Sequence, residues 1–235
     1  MQRQLGSGPL AKVLSILIRT ALIVFLLVHA YATLLKFVRA PGSILMTQRA
    51  MSGETIRRDW TPIENISPHL VRAVIAAEDT GFCQHEGIDM SAISKALEER
   101  EQGRSLRGAS TITQQTAKNV FLWNGGGLFR KAPEAWLATY IDFVWGKRRV
   151  MEAYLNIAEW GDGVFGAEAA AQVRFGKPAN SLTQREAALL AAVLPSPNKW
   201  RLDPAGPYVR QRAGTLQARM KTVERDGLAA CVGSD

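Results

Sequence analysis

"SPHLVRAVIAAED", residues 67–79, decides the fold class. Ser67 offers an N-cap hydroxyl, and Pro68 takes the first helical position, where a missing N–H leaves nothing unpaired. Val71, Val74, Ile75 and Glu78 recur at three- and four-residue spacing and so share one face of a helix. The last member is the oddity, because a carboxylate there continues an apolar stripe.

The same period extends outward along the chain. "SAISKALEER" (91–100) reads as a second helix, stopped by Gly103. "STITQQTAKNVFLW" (110–123) is a third, with Thr111 and Gln114 as a T-x-x-Q capping box. "APEAWLATYIDFVW" (132–145) carries Pro133 in its first turn and meets Gly146 at its end. "KRRVMEAYLNIAEW", the alanine-rich "GAEAAAQVRF", "TQREAALLAAVL" with a Thr183 to Glu186 capping box, and "YVRQRAGTLQARMKTVE" complete the set. Strand signals are few, "SILMTQRAM" (43–51) being a short candidate, so the class is mainly α.

The N-terminus has its own logic. Residues 13–35, "VLSILIRTALIVFLLVHAYATLL", approach the ~20 that a helix needs to cross hydrocarbon, interrupted by Arg19 and His29. Arg19 lies near enough to the start for its stem to snorkel. A cleaved signal peptide is the rival, but the apolar part is long and no small-x-small cleavage site precedes "KFVRAPGS", so an uncleaved anchor is expected. Flanking cations are balanced, Arg3, Lys12 and Arg19 against Lys36, Arg39 and Arg49, and leave the orientation open. The expected organisation is an N-terminal segment at 1–12, an anchor at 13–35, a linker at 36–54, the main domain at 55–220 and a tail at 221–235; the side on which each lies is left to the resemblance given below.

A chain of 235 residues, 47% hydrophobic and 21% charged, is long enough for a packed core. Its net charge of +8 suits a phosphate-bearing or anionic-membrane partner. Nucleic acid is disfavoured, because the cations are dispersed and lack aromatic stacking platforms. Cys83 and Cys231 are too few for a disulfide framework and lack metal spacing, so they read as unrelated thiols, with Cys231 in a frayed tail.

Three stretches carry chemistry. In "AAEDTGFCQHEG" (76–87), desolvation on the apolar face would raise the Glu78 pKa toward that of a general base. A metal held by Asp79, His85 and Glu86 is disfavoured, since no further His follows, and His85 reads as a structural residue bonding the turn between Gly81 and Gly87. In "RGASTITQQTAKN" (107–119), Gly108 and Ala109 precede a helix whose first-turn N–H groups would be free for a phosphate. Along it Thr111, Gln115 and Lys118 share a face, Gln114 and Asn119 lie beside it, and Ile112, Thr116 and Val120 form another. In "RKAPEAWLATYID" (130–142), Glu134 lines up with Leu137 and Ile141, behind Arg130 and Lys131. Paired carboxylates alone would fit a glycosidase, but cations fit a diphosphate leaving group, which needs charge stabilisation and not an acid.

These stretches, with "KRRVMEAYLNIAEWGDGVFGAEAAAQVRFGKPANSLTQREAALLAAVLPSPN", resemble in order and spacing the peptidoglycan glycosyltransferase domain of class A penicillin-binding proteins and of monofunctional transglycosylases. The chain ends without room for a transpeptidase domain and so looks monofunctional. The resemblance implies a lysozyme-like helical fold with a smaller membrane-proximal lobe, after one transmembrane helix. It implies an enzyme that polymerises lipid II into glycan strands, with inversion and release of undecaprenyl diphosphate, at the outer side of a bacterial cytoplasmic membrane. It makes Glu78 the general base and Glu134 the second catalytic glutamate, helping the leaving diphosphate or a divalent cation such as Mg or Mn. It makes Ser110, Thr111, Gln114, Gln115, Lys118 and Asn119 the donor-site strip, Arg130 and Lys131 its basic pair, and Asp79, Phe82 and His85 the shapers of the first motif. Asp142 stands where many members have Glu and is given no catalytic role. Lys147, Arg148 and Arg149 are expected to meet anionic headgroups. Partners are then lipid II, the lipid-linked chain, the membrane and other cell-wall synthesis proteins. A lytic hydrolase and a non-catalytic anchored scaffold are the rivals.

Overall fold

The computed structural model describes residues 9–103, 110–123 and 125–233. They divide into two compact units, Met1–Val38 and Arg39–Asp235. In the first, helix α1 (Pro9–Leu34) has 26 residues and a mean hydropathy of 2.3. At 1.5 Å per residue it measures about 39 Å, more than the ~30 Å of a hydrocarbon core. Of its polar residues, His29 and Thr33 bond along the helix: His29 Nδ1 lies 2.7 Å from the Phe25 carbonyl, and the Thr33 hydroxyl donates to His29 O at 2.8 Å.

The second unit runs α2 (Ile44–Met51), β1 (Arg57–Arg58), α3 (Pro68–Glu78), α4 (Met90–Glu101), α5 (Ile112–Phe121), α6 (Gly127–Ile157), β2 (Val164–Phe165), α7 (Ala167–Phe175), α8 (Gln184–Val193) and α9 (Pro207–Arg225). Helix α3 packs on α8 and α9, and α5 lies along α6. Alanines at 73, 76, 187, 188, 191 and 192, all buried, keep α3 and α8 thin at their contact so that the backbones approach closely. The only sheet among the described residues is the parallel pair β1–β2, Arg57 opposite Val164. Helix α4 buries one residue, Ala96, and lines one side of a cleft. The mainly α expectation holds.

Several local expectations change. Within 43–51 the chain is helical from Ile44 to Met51: Ser43 Oγ accepts from Met46 N at 3.1 Å, an N-cap that starts α2, and Met46 is its buried anchor. Ser67 does sit at the N-cap of α3, yet its hydroxyl donates to Leu182 O at 2.9 Å and ties α3 to the approach to α8. Helix α6 begins at Gly127, so Pro133 is interior to it and removes the hydrogen bond that Phe129, four residues before and 94% exposed, would otherwise accept. Gly146 leaves the helical region (φ 73, ψ 164) and breaks α6 where the sequence places a stop.

The cysteines are not separate thiols. Cys83 and Cys231 form a disulfide across 148 residues of sequence, and the segment holding Cys231 is a 3-10 turn (Ala230–Val232) with Val232 buried. Spacing could not reveal this pair, since the two half-cystines meet only after α9 has packed on α3 and the Ala230–Val232 turn on α6. The basic run is also engaged inside the fold. Lys147 Nζ pairs with Asp142 at 2.7 Å, Arg149 pairs with Glu152 and lies over the Trp60 ring, and Arg148 bonds Val232 O at 2.8 Å. Of the three, only Arg148 keeps a half-exposed side chain, and its Nη2 lies 3.3 Å from Glu64 Oε2.

Gly87 is required by two constraints at once. Its φ is +85°, and a Cβ there would lie 2.8 Å from the Ala138 carbonyl oxygen of α6. Gly87→Ala is therefore expected to destabilise the domain by about 2 kcal/mol or more, read as a lowered urea midpoint at unchanged slope.

Candidate active site

Glu78 is the last residue of α3 and opens into a cleft of ≈ 610 Å³ bordered by Thr80, Lys95, Ser110, Thr111 and Arg219. Burial pushes its carboxyl above its ordinary value; a hydrogen bond from Gln115 Nε2 to Oε2 (3.0 Å) and the Arg212 charge pull the other way. Desolvation prevails, so the carboxylate is a stronger base than a surface glutamate. The side chain neither solvates a helix end nor meets His85.

Asp79 and His85 hold the frame. Asp79 Oδ2 accepts from Ile112 N at 2.9 Å and lies 3.0 Å from His85 Nε2, so one buried carboxylate joins the end of α3, the first-motif turn and the start of α5. His85 thus bonds Asp79 and not the glycine turn. Phe82 is fully buried under Lys147, whose Nζ is 4.8 Å from the ring centroid.

The N-terminus of α5 is already satisfied. Thr111 and Gln114 form the expected capping box, the Thr111 hydroxyl also donates to Gly87 O at 2.6 Å, and Ile112 N is taken by Asp79. The first-turn groups expected to receive a phosphate are therefore largely occupied by protein; Gly108 and Ala109 lie outside the described residues. Thr111 and Gln114 are buried, whereas Gln115, Lys118 and Asn119 are half-buried along the helix, and Ile112, Thr116 and Val120 face the core. Thr113 donates to Asp142 at 3.1 Å, so Asp142 joins α5 to Lys147 at the α6 break.

Glu134 is 1% exposed, and its two oxygens take Arg130 Nη1 and Lys131 Nζ (2.6 Å). Lys131 Nζ reaches on to Ser110 Oγ at 3.0 Å. Lys118 feels Glu134, Arg130, Lys131 and Glu78, and burial lowers its pKa. Its ammonium donates to no group among the described residues, which makes it a desolvated cation ready for an anion. Both Glu134 oxygens being taken, and no cluster of three or more His, Cys, Asp or Glu existing among the described residues, the groups present do not build a divalent-cation site.

Four residues near the site were missed by sequence reasoning: Tyr154, Arg212, Arg219 and Lys95. Arg212 and Arg219 stand seven apart on α9 and so share a face, a signal available in the sequence. Arg219 donates to the Thr80 hydroxyl at 3.3 Å. Tyr154 carried no such signal, being one aromatic among the core residues of α6.

A mainly helical domain with a basic carboxylate in a cleft and a set of cations near it suits a glycosyl-transferring enzyme. Residues 44–222 match the transglycosylase family model, and the chain belongs to that family. It is 52% identical over 208 residues to the biosynthetic peptidoglycan transglycosylase of Rhodospirillum centenum, covering 88% of this chain and 90% of that one. It is 50% identical to the protein of that name from Caulobacter vibrioides (85% and 87% covered) and 49% identical to that from Pseudomonas aeruginosa (79% and 83%).

Proposed function

We propose that this cleft joins lipid-linked sugars into glycan strands, with Glu78 as general base. The chain is a peptidoglycan glycosyltransferase of cell-wall synthesis. Its substrates are lipid II as acceptor and a lipid-diphosphate-linked glycan as donor. Glu78 takes the proton from the acceptor 4-hydroxyl as that oxygen attacks C1 of the donor with inversion; the C1–O bond breaks, and its electron pair leaves with undecaprenyl diphosphate. Lys118, with Arg130 and Lys131 held by Glu134, stabilises that leaving charge. The observation that carries this reading is a desolvated carboxylate at Glu78, bonded by Gln115 of α5, together with the desolvated ammonium of Lys118 three residues further along α5, which donates to no group among the described residues. A hydrolase would need a second carboxyl as acid, and Glu134 is committed to two cations.

The test is polymerisation of labelled lipid II by the detergent-solubilised full chain. Glycan polymer supports the reading, while cleavage of finished peptidoglycan without lipid-linked substrate would favour a lytic enzyme. The pH profile should be narrow. Its acid limb lies above the ordinary glutamate range because Glu78 must be ionised, and its alkaline limb below the ordinary lysine range because Lys118 must be charged. Lys118→Met is expected to lower kcat by about 10²-fold and to abolish the alkaline limb.

Helix α1 supports a single-pass anchor in the bacterial cytoplasmic membrane. On α6, Phe129, Trp136 and Phe143 stand seven residues apart at 94%, 57% and 88% exposure, an apolar stripe suited to a lipid surface that also holds the substrate's tail. The disulfide favours the catalytic domain on the outer, oxidising side. Other cell-wall synthesis proteins acting on the same strands are the expected neighbours.

A further inference from the structure

We infer that Tyr154 is a positioning residue for the base: its hydroxyl locks the Gln115 amide so that the NH2 end faces Glu78. The inference rests on the reading of Glu78 as base and adds a residue to which no chemical role has been attached. Tyr154 is 1% exposed, and its hydroxyl lies 3.4 Å from Gln115 Oε1, while Gln115 Nε2 lies 3.0 Å from Glu78 Oε2. The direction of this relay follows from donor and acceptor inventories. An ionised carboxylate only accepts, so the amide must present its nitrogen to Glu78, leaving its oxygen to accept from the phenol. The phenol remains a donor throughout the working range, because burial and the neighbouring Glu78 and Asp79 charges hold its proton well above the usual phenol pKa.

Without that donor the amide loses the contact that selects its orientation. The flipped amide would point a carbonyl oxygen at the carboxylate, which repels the ionised form and leaves the protonated form satisfied. Tyr154 thus does two things through Gln115: it aims one carboxylate oxygen, and it offsets part of the desolvation that raises the Glu78 pKa. The other charged groups facing Glu78 are Arg212 of α9 and Lys118 of α5, which also favour ionisation, and Asp79, which opposes it. None of them contacts the amide of Gln115, so none can substitute for the phenol in orienting it.

The test uses the full chain in detergent with Tyr154→Phe, which keeps the ring and removes only the hydroxyl. The Glu78 carboxyl is titrated by carbon-13 NMR without substrate, assigned by its disappearance in Glu78→Gln. The expected result is a Glu78 pKa higher in Tyr154→Phe than in wild type, together with kcat lower by about 10-fold, KM nearly unchanged, and an acid limb moved to higher pH. Gln115→Leu should raise the same pKa at least as far, and adding Tyr154→Phe to it should move it no further. An unmoved titration in Tyr154→Phe, or additive shifts in the double variant, would overturn the relay. A raised titration with an unmoved acid limb would uphold the relay and remove Glu78 as the base. A rate loss uniform across pH, with an unmoved titration and a lowered unfolding midpoint, would make Tyr154 a packing residue only.

Discussion

Glu78→Gln is expected to slow glycan polymerisation by about 10²-fold or more, with product measured from labelled lipid II at saturating substrate. Gln keeps the shape and can still bond Gln115, so the loss should fall on kcat and not on KM. The same change should stabilise the fold at neutral pH. Burial raises the Glu78 pKa above its unfolded value, so the native state holds that proton more tightly and stability falls as pH rises through the raised pKa. The amide has no proton to lose. Its advantage should be near zero below the unfolded carboxyl range and reach full size above the folded one. Urea midpoints of the two proteins at pH 4 and pH 8 check this: a constant difference would remove the desolvated carboxylate from the argument. A gain in stability with a loss of rate is the expected signature of a site kept reactive at some expense to the fold.

Opening the disulfide is expected to destabilise the catalytic unit by about 2 to 5 kcal/mol, the upper end following from loop-closure entropy over so long a span. The effect should also reach the chemistry. Cys83 lies between Phe82, which seals the core beneath Lys147, and His85, which bonds Asp79, so the cross-link holds the turn that fixes the end of α3 and hence Glu78. Unfolding of the full chain in urea, with and without reductant, measures the first effect, and Cys83→Ser combined with Cys231→Ser should reproduce it. Reductant acting on that double variant should change nothing further. Equal midpoints for oxidised and reduced wild type would mean that the turn is held by Asp79 and Gly87 alone.

Much of the frame was legible because it is written in local signals. The helical periods, both T-x-x-[QE] capping boxes and the break at Gly146 depend on residues a few positions apart, and each appears where spacing places it. The burial of Glu134 in line with Leu137 and Ile141, and the half-burial of Gln115, Lys118 and Asn119 beside the buried Ile112, Thr116 and Val120, follow from the same period. Residues 43–51 misled because their apolar positions fit either period, and the Ser43 cap decided the matter.

What spacing could not supply is everything settled between segments far apart in the chain. The first turn of α5 looked open to phosphate until Asp79, 33 positions away, was found on Ile112 N. The cations at 147 and 149 looked free until Asp142 and Trp60 were beside them. By itself the sequence determined which stretches are helices, which face of each is apolar and which carboxylates stand on those faces, since backbone geometry and burial repeat every few residues. Only the tertiary structure decided what each polar group is bonded to, and therefore that Glu78 is desolvated, that the Lys118 ammonium donates to no group among the described residues and that Tyr154 stands behind Gln115. Desolvation and hydrogen-bond direction depend on neighbours that packing brings from other elements, and no local period records them.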